Sequence, residues 1–183
     1  MSKILVDTID TRSGTTNLTI GSTNSSTVTF ENGAVTGHMY PAFEAYRSSN
    51  QTPSNDTITK IQFNTEVYDT DNAYDNSTNY RFTPQVAGKY FVYGSCRGDG
   101  ESATDLDLIE IMIRKNGSNI AGQAINYGGN DIDNSTININ AVIDLNGSSD
   151  YVEIWVVLRS SVQPTISGNA NRQTAFGAFR IGS

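Results

Sequence analysis

An all-β fold, an antiparallel two-sheet sandwich of jelly-roll type, is predicted by three features of the 183-residue chain. Aromatic and β-branched residues alternate with polar ones at period two, the pattern of strands with one covered face. Asn-Gly pairs at 116–117 and 146–147 separate such runs, and Asn-Gly is a strong hairpin signal. No stretch carries a helical period of useful length, and the breaks are rich in Gly, Ser, Asn and Asp. Two packed antiparallel sheets are what such elements build.

Residues 1–37 form a segment of their own. Its apolar positions fall in short pieces: Ile4, Leu5, Val6 and Ile9, then Leu18 and Ile20, then Val28 and Phe30. So little apolar surface cannot close a core within one chain. Strict alternation, as in Val28-Thr29-Phe30, has no use in a disordered tail. The segment is therefore expected to pair with copies of itself as a short β shaft or docking peg.

Residues 38–183 read as one globular head. PAFEAY at 41–46 opens it as a strand, and ITKIQFNTEVYD at 58–69 reads as a second strand after a polar loop. Next comes NYRFTPQVAGKYFVYGS at 79–95, where Tyr80, Phe82 and Val86 form one strand and Tyr90, Val92 and Tyr93 another. Pro84, which has no N–H, suits a strand end, and Gly88 marks the turn. The run from Tyr90 to Tyr93 is almost wholly apolar, which fits a strand covered on one face by its own core and on the other by a partner subunit. RGDGESAT at 97–104 is expected to be a loop. Residues 105–126 make a hairpin around Asn116-Gly117. Ile137, Ile139, Ala141 and Ile143 share one face of the next strand, and Asn146-Gly147 turns it into DYVEIWVVLRS at 150–160. TAFGAFRIG closes the chain.

Composition narrows the function classes. The net charge is −7, and Lys and Arg do not cluster, so no nucleic-acid partner is expected. No run approaches the roughly 20 apolar residues a helix needs to cross a bilayer, so membrane insertion is not expected. MSKILVDTID carries too short an apolar run for a secretory signal. The one cysteine, Cys96, cannot form an intrachain disulfide, and after an apolar strand it reads as a buried, inert thiol. A Ser-His-Asp triad would have to use the single histidine, His38, and no Gly-x-Ser-x-Gly elbow occurs. Zinc needs more His or Cys than the chain holds. No catalytic residue and no cofactor are expected.

Two kinds of binding chemistry remain. Calcium takes oxygen ligands from acidic loops, which makes Asp69, Asp71, Asp131 and Asp133 its candidate ligands. The same residue types also suit plain solvated turns. Tyr74 and Tyr127 lie beside Asp75, Asn76 and Asn130, and planar rings flanked by hydrogen-bonding groups suit carbohydrate. Ordinary loop packing is the alternative for both rings. Arg97-Gly98-Asp99 is given no role.

The order of these strands resembles the globular head of the complement C1q and tumour-necrosis-factor superfamily. PAFEAYR is similar to that family's opening strand, and NYRFTPQVAGKYFVYGS to its Phe-Thr-x-Pro-x-x-Gly-x-Tyr-x-Phe core. ITKIQFNTEVYDTDNAYD, IMIRKNG, SSDYVEIWV and TAFGAFRI follow in the family's order, although Ser148-Ser149 replaces the usual Gly before Asp150. The resemblance implies a ten-strand jelly roll assembled as a homotrimer, with the aromatics and aliphatics of one sheet around a three-fold axis. Tyr90, Val92, Tyr93, Val152, Trp155 and Phe176 are then expected in the trimer interface or the core.

ILVDTIDTRSGTTNLTIGS resembles the openings of small bacteriophage fibre and structural proteins. Together the two resemblances imply a non-enzymatic virion protein made in the host cytoplasm and carried on the particle surface. It would be a fibre, spike or capsid-decoration trimer. Residues 1–37 would anchor it to other virion proteins, and the head would present loops to host-surface carbohydrate. A secreted complement-like lectin or ligand-binding domain of a cellular organism is the alternative, and a fibre-borne polysaccharide depolymerase is the third reading.

Overall fold

The computed structural model describes residues 40–100, 106–128 and 132–182. Ile4, Leu5, Val6, Ile9, Leu18, Ile20, Val28, Phe30 and His38, and the expected boundary at 37/38, lie outside the described residues, as do Asn130 and Asp131.

The described elements are all strands: β1 (Ala42–Tyr46), β2 (Thr59–Lys60), β3 (Thr65–Asp69), β4 (Tyr74–Asp75), β5 (Arg81–Phe82), β6 (Gly88–Asp99), β7 (Leu106–Lys115), β8 (Ser118–Asn126), β9 (Asn134–Leu145), β10 (Val152–Ser160), β11 (Thr165–Ile166) and β12 (Ala175–Gly182). They form two antiparallel sheets. In the first, β6 pairs with β9 on one side and with β12 and β11 on the other, and β1 and β3 follow beyond β12. In the second, the order is β4-β5-β10-β7-β8, with β2 also on β10. The predicted two-sheet sandwich is therefore the fold.

Period-two patterning places the core between the sheets. Tyr90, Val92 and Cys96 of β6, Ile137, Ile139 and Ile143 of β9, and Val152, Ile154, Val156 and Leu158 of β10 all turn inward and are buried. At one end of this core Phe43 stacks on Tyr74 (centroids 4.6 Å) and on Phe82 (4.5 Å), and meets Phe176 edge-on at 4.8 Å. Stacked and T-shaped pairs each add about 0.5–1.5 kcal/mol beyond the area they bury. Cys96 is the inert thiol expected, with burial pushing its pKa up.

Asn116-Gly117 is the hairpin turn the sequence predicts. Both residues have positive φ, +50° and +80°, as a two-residue primed turn requires. Four other expectations need correction. Asn146-Gly147 does not close a hairpin: β9 pairs with β6 in one sheet and β10 with β7 in the other, so this turn carries the chain between layers. The Asn146 Oδ1 holds it by accepting N–H bonds from Ser148, Ser149 and Asp150, each at 3.0 Å. The stretch 58–69 is two strands, because the chain leaves β10 after Lys60, buries Ile61 and Phe63 between the sheets, and joins β1 at Thr65. Val86 is exposed in the loop before β6. Arg97-Gly98-Asp99 is strand, in register with Thr136, Ser135 and Asn134, and Arg97 Nε bonds the Asp99 carboxylate at 3.1 Å.

Replacing Phe43 with Ala removes the ring that three other aromatics contact. The expected loss is about 3–5 kcal/mol of unfolding free energy, read from the urea midpoint at fixed protein concentration.

Candidate functional site

Two surfaces stand out, one apolar and one polar. The apolar one is the outer face of the first sheet, which β6 reaches with every second residue. Lys89, Phe91 and Tyr93 alternate with the buried Tyr90 and Val92. Phe91 lies in register between Val142 of β9 and Phe179 of β12. Its ring sits 5.4 Å from Phe179 and 6.2 Å from Tyr93. Val142 is 56% exposed, and Ile181 (49%) and Tyr68 (43%) extend the patch. Gly177 stands opposite Tyr93, and a Cβ there would fall 2.3 Å from the Tyr93 ring, so only glycine lets that ring lie across the sheet.

The charges of this face are paired with one another. Lys89 meets Asp144 at 2.6 Å, in cross-strand register. Glu44 accepts from Tyr93 Oη and from Arg172 Nη1, both at 3.1 Å, and Arg172 also lies over the Tyr46 ring. Burial, then the neighbouring Glu44 charge, holds the Tyr93 hydroxyl above its usual range. Beside the exposed Thr136, Asn138 and Asn140 of β9, what remains on the face is aromatic and aliphatic surface around Phe91. Contiguous patches of that kind mark contact sites.

The polar surface is a cleft of about 490 Å³ at the β4–β5 edge, lined by Glu66, Asn76, Ser77, Asn79, Arg81 and Gln85 among others. Its wall is a turn built on Asp75. That carboxylate accepts N–H bonds from Ser77, Thr78 and Asn79 at 2.9–3.0 Å and from Asn79 Nδ2 at 2.7 Å. These bonds, Thr78's first, hold the Asp75 carboxyl well below the usual carboxylate range.

The residues singled out from the sequence fall as follows. Asp75 and Asn76 line the cleft. Tyr74 contributes to its wall, but the ring is 4% exposed and stacks on Phe43, and its hydroxyl donates to the Phe63 carbonyl at 2.9 Å. It is a core side chain rather than an exposed platform, because β4 turns it inward opposite Phe82. Tyr127 lies beyond β8, at the far edge of the second sheet, where it packs against the core and donates to Ser135 Oγ at 2.5 Å. The two tyrosines are thus not brought together. Asp69 accepts from the N–H groups of Asp71 (3.2 Å) and Tyr74 (2.7 Å), and Asp133 accepts from Asn134 Nδ2 at 2.9 Å. These acidic residues sit at opposite edges of the first sheet, and no cluster of three metal-ligating side chains occurs among the described residues. Tyr90, Val92, Val152 and Phe176 are core, whereas Tyr93 and Trp155 lie half-buried on outer faces. Sequence reasoning missed Glu66, Asn79, Arg81 and Gln85. Arg81 was legible as the outward neighbour of the buried Phe82.

The sequence model described as "C1q domain" matches residues 42–181. No curated protein matches the chain. Solved structures do. Eiger TNF from S. frugiperda is 12% identical with a TM-score of 0.58, over 79% of this chain and 94% of that one. Murine APRIL is 10% identical with a TM-score of 0.55, over 76% and 98%. The globular domain of zebrafish complement 1qA is 16% identical with a TM-score of 0.50, over 77% and 96%. At such identities the likeness to these structures is one of fold.

A carboxyl whose pKa is lowered on folding stabilises the fold above its unfolded value, near 4, and loses that contribution as pH falls below it. For wild type, amide exchange at residues 77–79 should speed up several-fold from pH 5 to pH 2.5 after correction for intrinsic rates. Asp75→Asn should exchange fast at both pH values, with the global melting temperature within a few degrees of wild type. NMR-detected exchange checks both.

Proposed function

We propose, from the premise that this chain belongs to the C1q-domain family, that it acts as a non-enzymatic homotrimer which presents ligand-binding surfaces on a rigid β scaffold. C1q and tumour-necrosis-factor domains form homotrimers and are generally ligand-binding modules. The observation that carries the reading is the outer face of the first sheet. Its charges are neutralised in place, and the rings of Phe91, Tyr93 and Phe179, with Val142, are left for a partner surface. Burying that patch against two sister subunits contributes roughly 25 cal/mol per Å² of apolar area removed from water. It also explains why the Tyr90–Tyr93 run is apolar on both faces.

The finer reading rests on the N-terminal sequence. Residues 1–37 anchor the trimer to a bacteriophage particle, as a fibre, spike or capsid-decoration protein made in the host cytoplasm, and the 38–183 head meets host-surface carbohydrate. Its alternating apolar positions suit strand pairing between three copies. The polar cleft of each head supports the carbohydrate part, since its amide and hydroxyl side chains match sugar hydroxyls and three copies add avidity.

Light scattering on the purified chain should give three times the mass of one chain. Phe91→Glu should shift the mass to that of one chain, because three carboxylates cannot be buried unpaired. A monomeric wild type would sink the trimer. Deleting residues 1–37 should keep the trimer and abolish its association with intact particles, scored by electron microscopy; retained association would refute the anchor.

A further inference from the structure

The outer face of the second sheet carries an arrangement that neither the family fold nor the trimer explains. Tyr151, Glu153 and Trp155 alternate along the β10 stretch, turned away from the buried Val152, Ile154 and Val156. Arg114 of β7 stands in register with Glu153 on one side. On the other side Phe82 pairs with Val152, which puts Arg81 of β5 beside Glu153 as well. One acidic residue is thus flanked by two arginines on neighbouring strands, about 10 Å apart across the sheet.

Glu153 does not neutralise them. It is 4% exposed, forms no ion pair with either arginine, and accepts from Lys60 Nζ on Oε1 at 2.5 Å and from Trp155 Nε1 on Oε2 at 3.0 Å. Arg114 lies over the Trp155 ring at 4.8 Å and Arg81 over the Tyr151 ring at 4.3 Å. Every other described Lys or Arg has an ion pair or a hydrogen bond to a backbone carbonyl. Arg81 and Arg114 have neither. Arg114 Nε is also the buried side-chain polar atom without a hydrogen-bond partner among the described residues. A charged donor left buried and unpaired is costly, and a planar guanidinium on an aromatic ring is the arrangement that receives a carboxylate through two N–H bonds.

Arg81 also lines the cleft, whose Asn76, Ser77, Asn79, Thr83 and Gln85 supply neutral donors and acceptors for hydroxyl groups. Lys60 Nζ donates to the Asn79 carbonyl at 3.1 Å, which ties the cleft wall to the Glu153 row. The facing charges are Lys60, Arg81 and Arg114 against Glu153, Asp75 and Glu66. Glu153 and Asp75 are already bonded, Glu66 is the cleft carboxylate without an ion pair, and the cations without one are the two arginines.

We propose that this cleft and the Arg81–Glu153–Arg114 row bind a carboxylate-bearing saccharide, with the arginines taking the acid groups and the cleft the hydroxyls. The proposal rests on the reading that the head binds carbohydrate. It is tested on the full-length trimer by calorimetry with a galacturonate oligosaccharide, its methyl ester, a neutral galactose oligosaccharide and sodium acetate. The acid form should bind at least tenfold more tightly than the ester, and should weaken with added salt. Arg81→Gln and Arg114→Gln should each weaken it about tenfold, and Arg114→Lys less. Arg114→Met, which removes the unpaired donor, should bind as poorly as Arg114→Gln while melting no lower than wild type, separating loss of ligand from loss of fold. Equal binding of acid and ester, binding of the neutral sugar alone, or acid binding unchanged in both Gln variants would overturn this proposal and leave the carbohydrate reading standing. Binding of acetate as tight as the acid oligosaccharide would reduce the site to a simple anion site. Absence of binding by every saccharide would overturn both.

Discussion

Strand β6 constrains the rest of the molecule. It is twelve residues long and hydrogen-bonded along both edges, to β9 over its whole length and to β12 and β11 in succession. Central pairing of this kind leaves no freedom of register, because a slip of one residue would move every inward side chain to the outer face. Tyr90, Val92 and Cys96 must then fill the core while Phe91 and Tyr93 must face out. Tyr90 meets the constraint by donating its hydroxyl to the Val86 carbonyl at 2.7 Å, and burial pushes that hydroxyl up to about 12.

The two outer faces follow opposite electrostatic strategies. On the first sheet the ions are matched in place, Lys89 with Asp144 and Glu44 with Arg172 and Tyr93, so that the face offers the apolar surface around Phe91 beside the neutral amides of Asn138 and Asn140. A surface of this kind loses little by desolvation and suits permanent contact with copies of itself. On the second sheet one buried carboxylate is bonded to Lys60 and to an indole N–H, and two guanidinium groups lie over aromatic rings without an ion pair. Such a face suits a polar, anionic ligand that comes and goes. A trimer closed through the first face would leave the second open to the surroundings.

The loops divide the same way between scaffold and surface. Asp75, Asn146 and Asn116 look like solvated turn residues, yet each organises backbone. Asp75 gathers three N–H groups, Asn146 another three, and Asn116 clamps the start of β10 through Asp150 and the Tyr151 N–H. Short polar side chains bonding nearby N–H groups make rigid turns without apolar burial. In a chain with 17% charged residues and abundant Ser, Thr and Asn, these described turns are held by such bonds.

Local pattern by itself determined the all-β class, the inward positions of β9, the Asn116-Gly117 hairpin and the buried Cys96. Each follows from period two or from turn stereochemistry, which act between neighbours in sequence. Which sheet a strand joins was decided only by tertiary structure. Asn146-Gly147 reads like a hairpin, but β9 and β10 each find better partners in different layers. Tyr74 reads as an exposed loop ring because its neighbours are Asp and Asn, and it is buried because β4 brings it against Phe43. The Arg81–Glu153–Arg114 row joins three strands far apart in sequence, so no window of the chain contains it. Contacts across strands decide both burial and which charges are left unpaired, and those contacts exist only once the sheets are assembled.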